Sequence, residues 1–76
     1  MIKFETKKKI DSTMYGGKGT VTYSYECDGT ETEEELEKEL RSKFYFDEEE
    51  IGCFFVENWY KKGNQVIVTE RCWGYE

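Results

Sequence analysis

The chain has 76 residues, about half the usual length of a domain, so one small core spanning 1–76 is expected and a second domain is not. Its 17 acidic and 11 basic residues give a formal net charge of −6, which disfavours direct binding to a phosphate backbone. Histidine is absent, and with it the side chain most often used for proton transfer near neutral pH and for metal binding.

Two strands separated by a glycine-rich turn are predicted at the start of the chain. Residues 2–10 begin with apolar side chains on one parity and continue into three lysines, which is typical of an edge strand because lysine discourages pairing with another chain. Residues 16–19 contain three glycines, which suit a tight hairpin. Residues 20–27 alternate, and the inward-facing set is predicted to be Val21, Tyr23, Tyr25 and Cys27.

One helix is predicted after this hairpin, over residues 33–46. Two capping boxes are compatible with its start, Thr32 with Glu35 or Thr30 with Glu33, and strong helix formers follow. The helix carries a narrow apolar stripe, suited to lying on a sheet, formed by Leu36, Leu40 and Phe44.

A second hairpin is predicted from strand-like runs at 51–60 and 65–73. If residues 61–64 form its loop, the strands are aligned by three pairs: Cys53 with Cys72, Trp59 with Val66 and Tyr60 with Gln65.

The element order therefore predicts an α+β fold, β-β-α-β-β, with one helix packed on a four-stranded, mainly antiparallel sheet. This layout resembles the β-grasp plan, in which two hairpins flank one helix and the terminal strands can meet in parallel. A plain antiparallel meander has the same element order, so both arrangements stay open.

The cysteines and the missing residue types bear on chemistry and compartment. Cys27, Cys53 and Cys72 are widely spaced and odd in number, and no apolar signal segment opens the chain, so reduced thiols in a cytoplasm are expected. Neither a C-x-x-C pair nor a calcium-loop spacing occurs, so we expect no metal and no cofactor. Without a nucleophile–base pair we also expect no enzyme. The lysine-rich composition, which lacks alanine and proline, indicates a low-G+C bacterial host or its phage.

Acidic residues crowd the predicted helix and its exit, between Glu31 and Glu50. One interpretation is a solvated outer helix face whose charge suits the helix N-terminus. The other is a row of carboxylates that imitates nucleic-acid phosphates and occupies a basic groove. The helix dipole does not account for Glu48, Glu49 and Glu50, which lie beyond the first turn.

Two tryptophans, six tyrosines and five phenylalanines exceed what one small core hides. Exposed tyrosine and tryptophan are typical of binding hot spots, although a cluster closing the open face of the sheet is equally compatible. A third interpretation, disfavoured by the net charge, stacks single-stranded nucleic acid on Tyr23, Tyr25, Phe54 or Phe55.

In its length, acidity and aromatic content the chain resembles small phage-encoded anti-defence proteins, anti-CRISPR proteins in particular. The resemblance implies an inhibitor that docks on a basic, nucleic-acid-handling partner, such as a nuclease or a CRISPR effector. The candidate binding residues are Glu33, Glu34, Glu37, Asp47, Glu48, Glu49 and Glu50 for steering and Tyr45, Trp59, Tyr60 and Trp73 as anchors. The alternative is an accessory module that assembles through a free strand edge, as a homodimer without a charge-driven partner.

Overall fold

Four strands and one helix make up the described part of the chain, which covers residues 1–15, 18–46 and 54–72 of a computed structural model. The elements are β1 (Lys3–Tyr15), β2 (Lys18–Glu26), α1 (Glu33–Lys43), β3 (Phe54–Lys62) and β4 (Gln65–Cys72). The predicted α+β class, the β-β-α-β-β order and the four-stranded sheet are confirmed, and every strand pair is antiparallel.

The strands lie in the order β1-β2-β4-β3, so neither of the two predicted layouts is correct. A β-grasp sheet would pair β1 with β4 in parallel, and a meander would pair β2 with β3. Here β4 lies between β2 and β3. The physical reason is burial: Val66, Ile67 and Val68 are all buried, so β4 is apolar on both faces and gains most from a central position.

The lysine-rich strand β1 forms one edge of the sheet, as predicted. It runs to Tyr15, which pairs with Lys18, so only two glycines separate β1 from β2, and both lie outside the described residues. Its register shifts after Lys3, where the Thr6 hydroxyl donates to the Lys3 carbonyl over 2.6 Å and accepts from the Glu26 N–H over 2.8 Å. Such irregularities protect an edge from pairing with another chain.

The second hairpin has a two-residue loop, and the predicted four-residue loop is wrong. Lys62 pairs with Gln65, which leaves Gly63 and Asn64 between the strands. Gly63 has a φ of 63°, as expected at the first central position of a type II′ turn, where glycine avoids the cost of a Cβ.

The shorter loop moves the register by two positions and keeps the same side chains on each face. Trp59 pairs with Val68, and Tyr60 pairs with Ile67. A bulge at Glu57 interrupts the ladder between β3 and β4. The predicted pairing of Cys53 lies outside the described residues, and Cys27 is buried as a free thiol.

The helix begins with the capping box of Thr32 and Glu35, one of the two that the sequence allowed. The Thr32 hydroxyl accepts from the Glu35 N–H over 3.1 Å, and the Glu35 carboxylate accepts from the Thr32 N–H over 3.0 Å. The helix ends at Lys43, earlier than predicted, because Phe44 turns to φ −124°, ψ 161° and packs against Phe4. Eleven residues span about 16 Å, less than half the length of β1.

The core lies between α1 and the centre of the sheet. Leu36 and Leu40 are 0% exposed, as the stripe predicted, and Phe44 packs on the same cluster from the helix end. The other buried members of the cluster are Ile2, Tyr25, Cys27, Val56, Val66 and Val68. On the opposite face of the sheet, the hydroxyls of Thr22 and Thr69 hydrogen-bond each other over 3.1 Å.

Candidate functional site

A groove of about 560 Å³ runs between α1 and β3. It is lined by Glu33, Glu34, Glu37, Lys38, Arg41 and Trp59, and we call it the acidic groove. It brings three of the predicted carboxylates together with one of the predicted aromatic anchors. The sequence predicted both sets but not that they line one groove, which depends on β3 lying at the edge next to the helix flank.

Helical spacing explains the helix side of the acidic groove. Glu33, Glu37 and Arg41 are each four residues apart, so they follow one flank of α1. From β3, Trp59 faces the helix because it pairs with the buried Val68, and it packs half-buried against the core cluster. The groove therefore has an aromatic wall that packs on the core and a rim that includes the exposed carboxylates of Glu33 and Glu34.

Lys38 and Arg41 also line the acidic groove, so its three carboxylates are neutralised in part and one net negative charge remains. Arg41 Nε donates to Glu37 Oε2 over 2.9 Å, and the Arg41 guanidinium lies 4.3 Å from the centroid of the Phe46 ring. Both side chains of this ion pair are exposed, so the pair contributes little to stability and can be exchanged for another partner. Glu33 and Glu34 are exposed in the first turn of α1, where the helix dipole favours acidic residues.

Other members of the acidic block hold the fold together. The Glu31 carboxylate accepts from the backbone N–H groups of Asp28 and Gly29, and it pairs with the Met1 ammonium, which also contacts Asp28. These hydrogen bonds lower the pKa of Glu31 to about 2, and the bond from the Met1 ammonium has the largest effect. In return, the hydrogen bonds to Glu31 and then to Asp28 raise the pKa of the Met1 amine to about 10.

Glu39 and Glu35 also serve the fold. Glu39 accepts from the Ile2 N–H over 2.7 Å and so joins the start of β1 to the helix, while Glu35 completes the capping box. The interpretation of a structural, solvated helix face accounts for these residues. It leaves Glu33, Glu34 and Glu37 as the helix carboxylates that face the groove.

The remaining predicted anchors do not join the acidic groove. Tyr60 is 52% exposed on the opposite face of the sheet, because it alternates with Trp59 along β3. Tyr45 is 51% exposed after the helix, and its carbonyl accepts from the Val56 N–H over 2.7 Å. The predicted residues Asp47, Glu48, Glu49, Glu50 and Trp73 lie outside the described residues.

The two tyrosines of β2, Tyr23 and Tyr25, lie on the helix-facing side of the sheet. Tyr25 is only 2% exposed and belongs to the core cluster, and Tyr23 packs against that cluster from the same face. Burial, followed by the charge of Glu70, raises the pKa of Tyr25 to about 12. Tyr25 is therefore too deeply buried to stack on single-stranded nucleic acid, whereas stacking on Tyr23, Phe54 or Phe55 stays a prediction.

Sequence reasoning overlooked Glu70, a carboxylate that is 9% exposed in the centre of the sheet. It lies between Val21 and Val56 in the strand ladders. Burial raises the pKa of Glu70, and the nearby Lys7 opposes that shift. The sequence already indicated that Glu70 faces the core, because it lies two residues after Val68 and four after Val66 and so projects from the same face of β4.

In comparisons with protein-family models, curated proteins and solved structures, no match to this chain was found. Within the described ranges, no helix is long and apolar enough to cross a membrane.

Proposed function

We propose that this chain acts by binding, and that its acidic groove docks a basic segment of a partner protein. The observation that carries the proposal is that three carboxylates of α1 and the partly buried Trp59 line the same groove. An arginine or lysine side chain meets its two preferred partners there, since carboxylates attract its charge and an indole ring accepts a cation over its face.

The distribution of roles follows from exposure. Glu33 and Glu34 are exposed and have long side chains, so they supply attraction at a distance more than a rigid contact. Trp59 is held by the core cluster and loses little entropy when it is covered, so it acts as the anchor. The net charge of −6 extends the attraction to the whole molecule.

The partner class is a basic protein that handles nucleic acid, and the consequence of docking is inhibition by occupation of its nucleic-acid cleft. Clefts of this kind present arginine and lysine in rows that bind phosphates, and closely spaced carboxylates satisfy the same side chains. The acidic composition, which resembles that of anti-CRISPR proteins, favours this class.

The test is affinity capture from a lysate of a low-G+C bacterium, with wild-type and variant chains compared at low and high salt. The first variant combines Glu33→Gln, Glu34→Gln and Glu37→Gln. The control combines Glu5→Gln, Asp11→Asn and Glu26→Gln, three exposed positions outside the acidic groove that lose the same charge.

We expect basic nucleic-acid-binding proteins on the wild-type and control chains, released by salt, and their loss from the groove variant. With a partner in hand, the groove variant should associate about tenfold more slowly at low salt. If the groove variant captured the same partner proteins as the control, the acidic groove would not be the docking site. Neutralising Glu48, Glu49 and Glu50 together is predicted to slow association and flatten its salt dependence as well.

A further inference from the structure

A second groove lies at the C-terminal end of α1, against β1 instead of β3. It has a volume of about 520 Å³, within the range of small-molecule sites. Its lining combines three aromatic rings, two lysines and one carboxylate: Phe4, Tyr25, Phe44, Lys7, Lys43 and Glu5. We call it the basic aromatic groove.

The floor of the basic aromatic groove is a cluster of rings in mutual contact. The ring centroids of Phe4 and Tyr25 are 5.5 Å apart, those of Phe4 and Phe44 are 5.8 Å apart, and those of Tyr25 and Phe44 are 6.1 Å apart. Tyr25 belongs to the buried core, so the floor is formed before any ligand arrives. A preformed apolar floor binds a flat ring without the entropy cost of ordering its own side chains.

The rim carries the charges that select a ligand. Lys7 Nζ lies 4.1 Å from the centroid of the Tyr23 ring, and Lys43 Nζ lies 5.2 Å from that of Phe4. Among the described residues, neither ammonium group forms an ion pair, although acidic residues outnumber basic ones in this chain. Two ammonium groups beside one groove attract an anion, and the Glu5 carboxylate accepts hydrogen bonds from hydroxyl or amino groups.

We propose that the basic aromatic groove binds a nucleoside monophosphate. The base lies over the Phe44 ring, and the Phe4 ring, inclined at 70° to it, meets the edge of the base. The phosphate is held by Lys7 and Lys43, and Glu5 accepts from a ribose hydroxyl or a base amino group. This ligand class combines the flat ring, the anion and the donors that the groove requires together. The site is separate from the acidic groove, because the two grooves share no lining residue and this one lies at the C-terminal end of α1.

The test uses adenosine 5′-monophosphate as the probe, titrated into the isotope-labelled chain and followed by amide chemical shifts. We expect saturable shifts centred on Phe4, Tyr25 and Phe44. Combining Lys7→Gln with Lys43→Gln should weaken binding about tenfold or more, since a hydrogen bond to a charged group carries that much affinity. The control, Lys8→Gln with Lys62→Gln, removes the same charge from exposed lysines that face the other side of the sheet, and it should keep wild-type affinity.

Adenosine and inorganic phosphate serve as half-ligands, and each should bind more weakly than the intact nucleotide. A short oligoadenylate shows whether the nucleotide is the end of a nucleic-acid strand or a free nucleotide. If the oligoadenylate binds more tightly than adenosine 5′-monophosphate, and Lys7→Gln with Lys43→Gln abolishes that binding, the ligand is a strand end. If it binds more weakly than the monophosphate, the ligand is a free nucleotide. Absence of saturable shifts, equal losses in the two lysine variants, or adenosine binding as tightly as the monophosphate would overturn the proposal. Matching melting temperatures of both variants and the wild type show that the fold is retained.

Discussion

At the scale of single residues, neighbouring glutamates of one acidic block serve different purposes. Glu31 has a side chain that is 7% exposed and satisfies two backbone N–H groups, whereas Glu33 and Glu34 are exposed beside the acidic groove. The difference is positional: Glu31 precedes the helix and closes the loop after β2. A carboxylate held by several donors stabilises the fold, and one without them is available for a partner.

The first prediction concerns the pair of Glu31 and the Met1 amine. Because the pKa of Glu31 falls from 4.5 to about 2 on folding, its contribution is present above pH 4.5 and is lost as the pH falls towards 2. Because the pKa of the amine rises from 8.0 to about 10, its contribution is present below pH 8.0 and is lost as the pH rises towards 10. Urea midpoints measured against pH should therefore be highest between these limits.

Two modified chains separate this pair from the other titrating groups. Glu31→Gln should lower the midpoint at pH 7 and reduce the acidic decline, while acetylation of the Met1 amine should remove the alkaline decline. If the acetylated chain still lost stability between pH 8 and 10 like the wild type, the pairing with Glu31 would not be the cause.

At the scale of elements, α1 is a short helix whose stability depends on its docking. An isolated helix of this length is marginal in water, so the buried stripe and the capping box must hold it. Leu40 is 0% exposed and belongs to the core cluster, and the Thr32 hydroxyl caps the first turn by accepting from the Glu35 N–H. The two grooves follow from this docking, since one lies along a flank of α1 beside β3 and the other lies at the C-terminal end of α1 beside β1.

The second prediction compares the buried stripe with the cap. Leu40→Ala should lower the free energy of unfolding by about 2–5 kcal/mol, because it leaves a cavity under α1 even though alanine favours the helix. Thr32→Ala should cost about 1 kcal/mol through loss of the cap. Urea unfolding measures both, and Thr32→Ser is the matched control that retains the hydroxyl. A cap variant as damaging as the cavity variant would contradict this order.

At the scale of the whole molecule, both edges of the sheet are protected against pairing. β1 carries Lys7, Lys8 and Lys9 with register shifts, and β3 carries a bulge at Glu57. The Val56 N–H also donates to the Tyr45 carbonyl, so that point of the β3 edge is already occupied. These features weigh against assembly through a free edge, the alternative that the sequence left open.

The third prediction is a chain that stays monomeric. Light scattering should report a mass near 9.1 kDa that does not change with protein concentration or salt. A mass that doubles with concentration would instead favour the self-assembling module. In that case Lys8→Glu, which alters the charge of the β1 edge alone, would show whether the dimer uses β1.

The sequence by itself determined the elements, because each depends on local periodicity and capping. The alternation of β2, the Leu36 and Leu40 stripe, and the capping box of Thr32 are read within a few residues, and all three are confirmed. The acidic and aromatic residue sets were likewise visible from composition. Errors at this level were errors in where elements end: the helix stops at Lys43, and β3 runs on through Lys61 and Lys62 because glycine allows a two-residue turn.

Only the tertiary structure decided the strand order and, with it, the two grooves. Burial of β4 on both faces places β3 at the edge, which brings Trp59 to the carboxylate flank of α1 and separates Tyr60 from it. The same arrangement puts Phe4 and Lys7 beside Lys43, residues that no sequence pattern connects. Contacts between distant segments depend on which surfaces are buried together, and that competition is settled by the whole core and not by any local stretch of the chain.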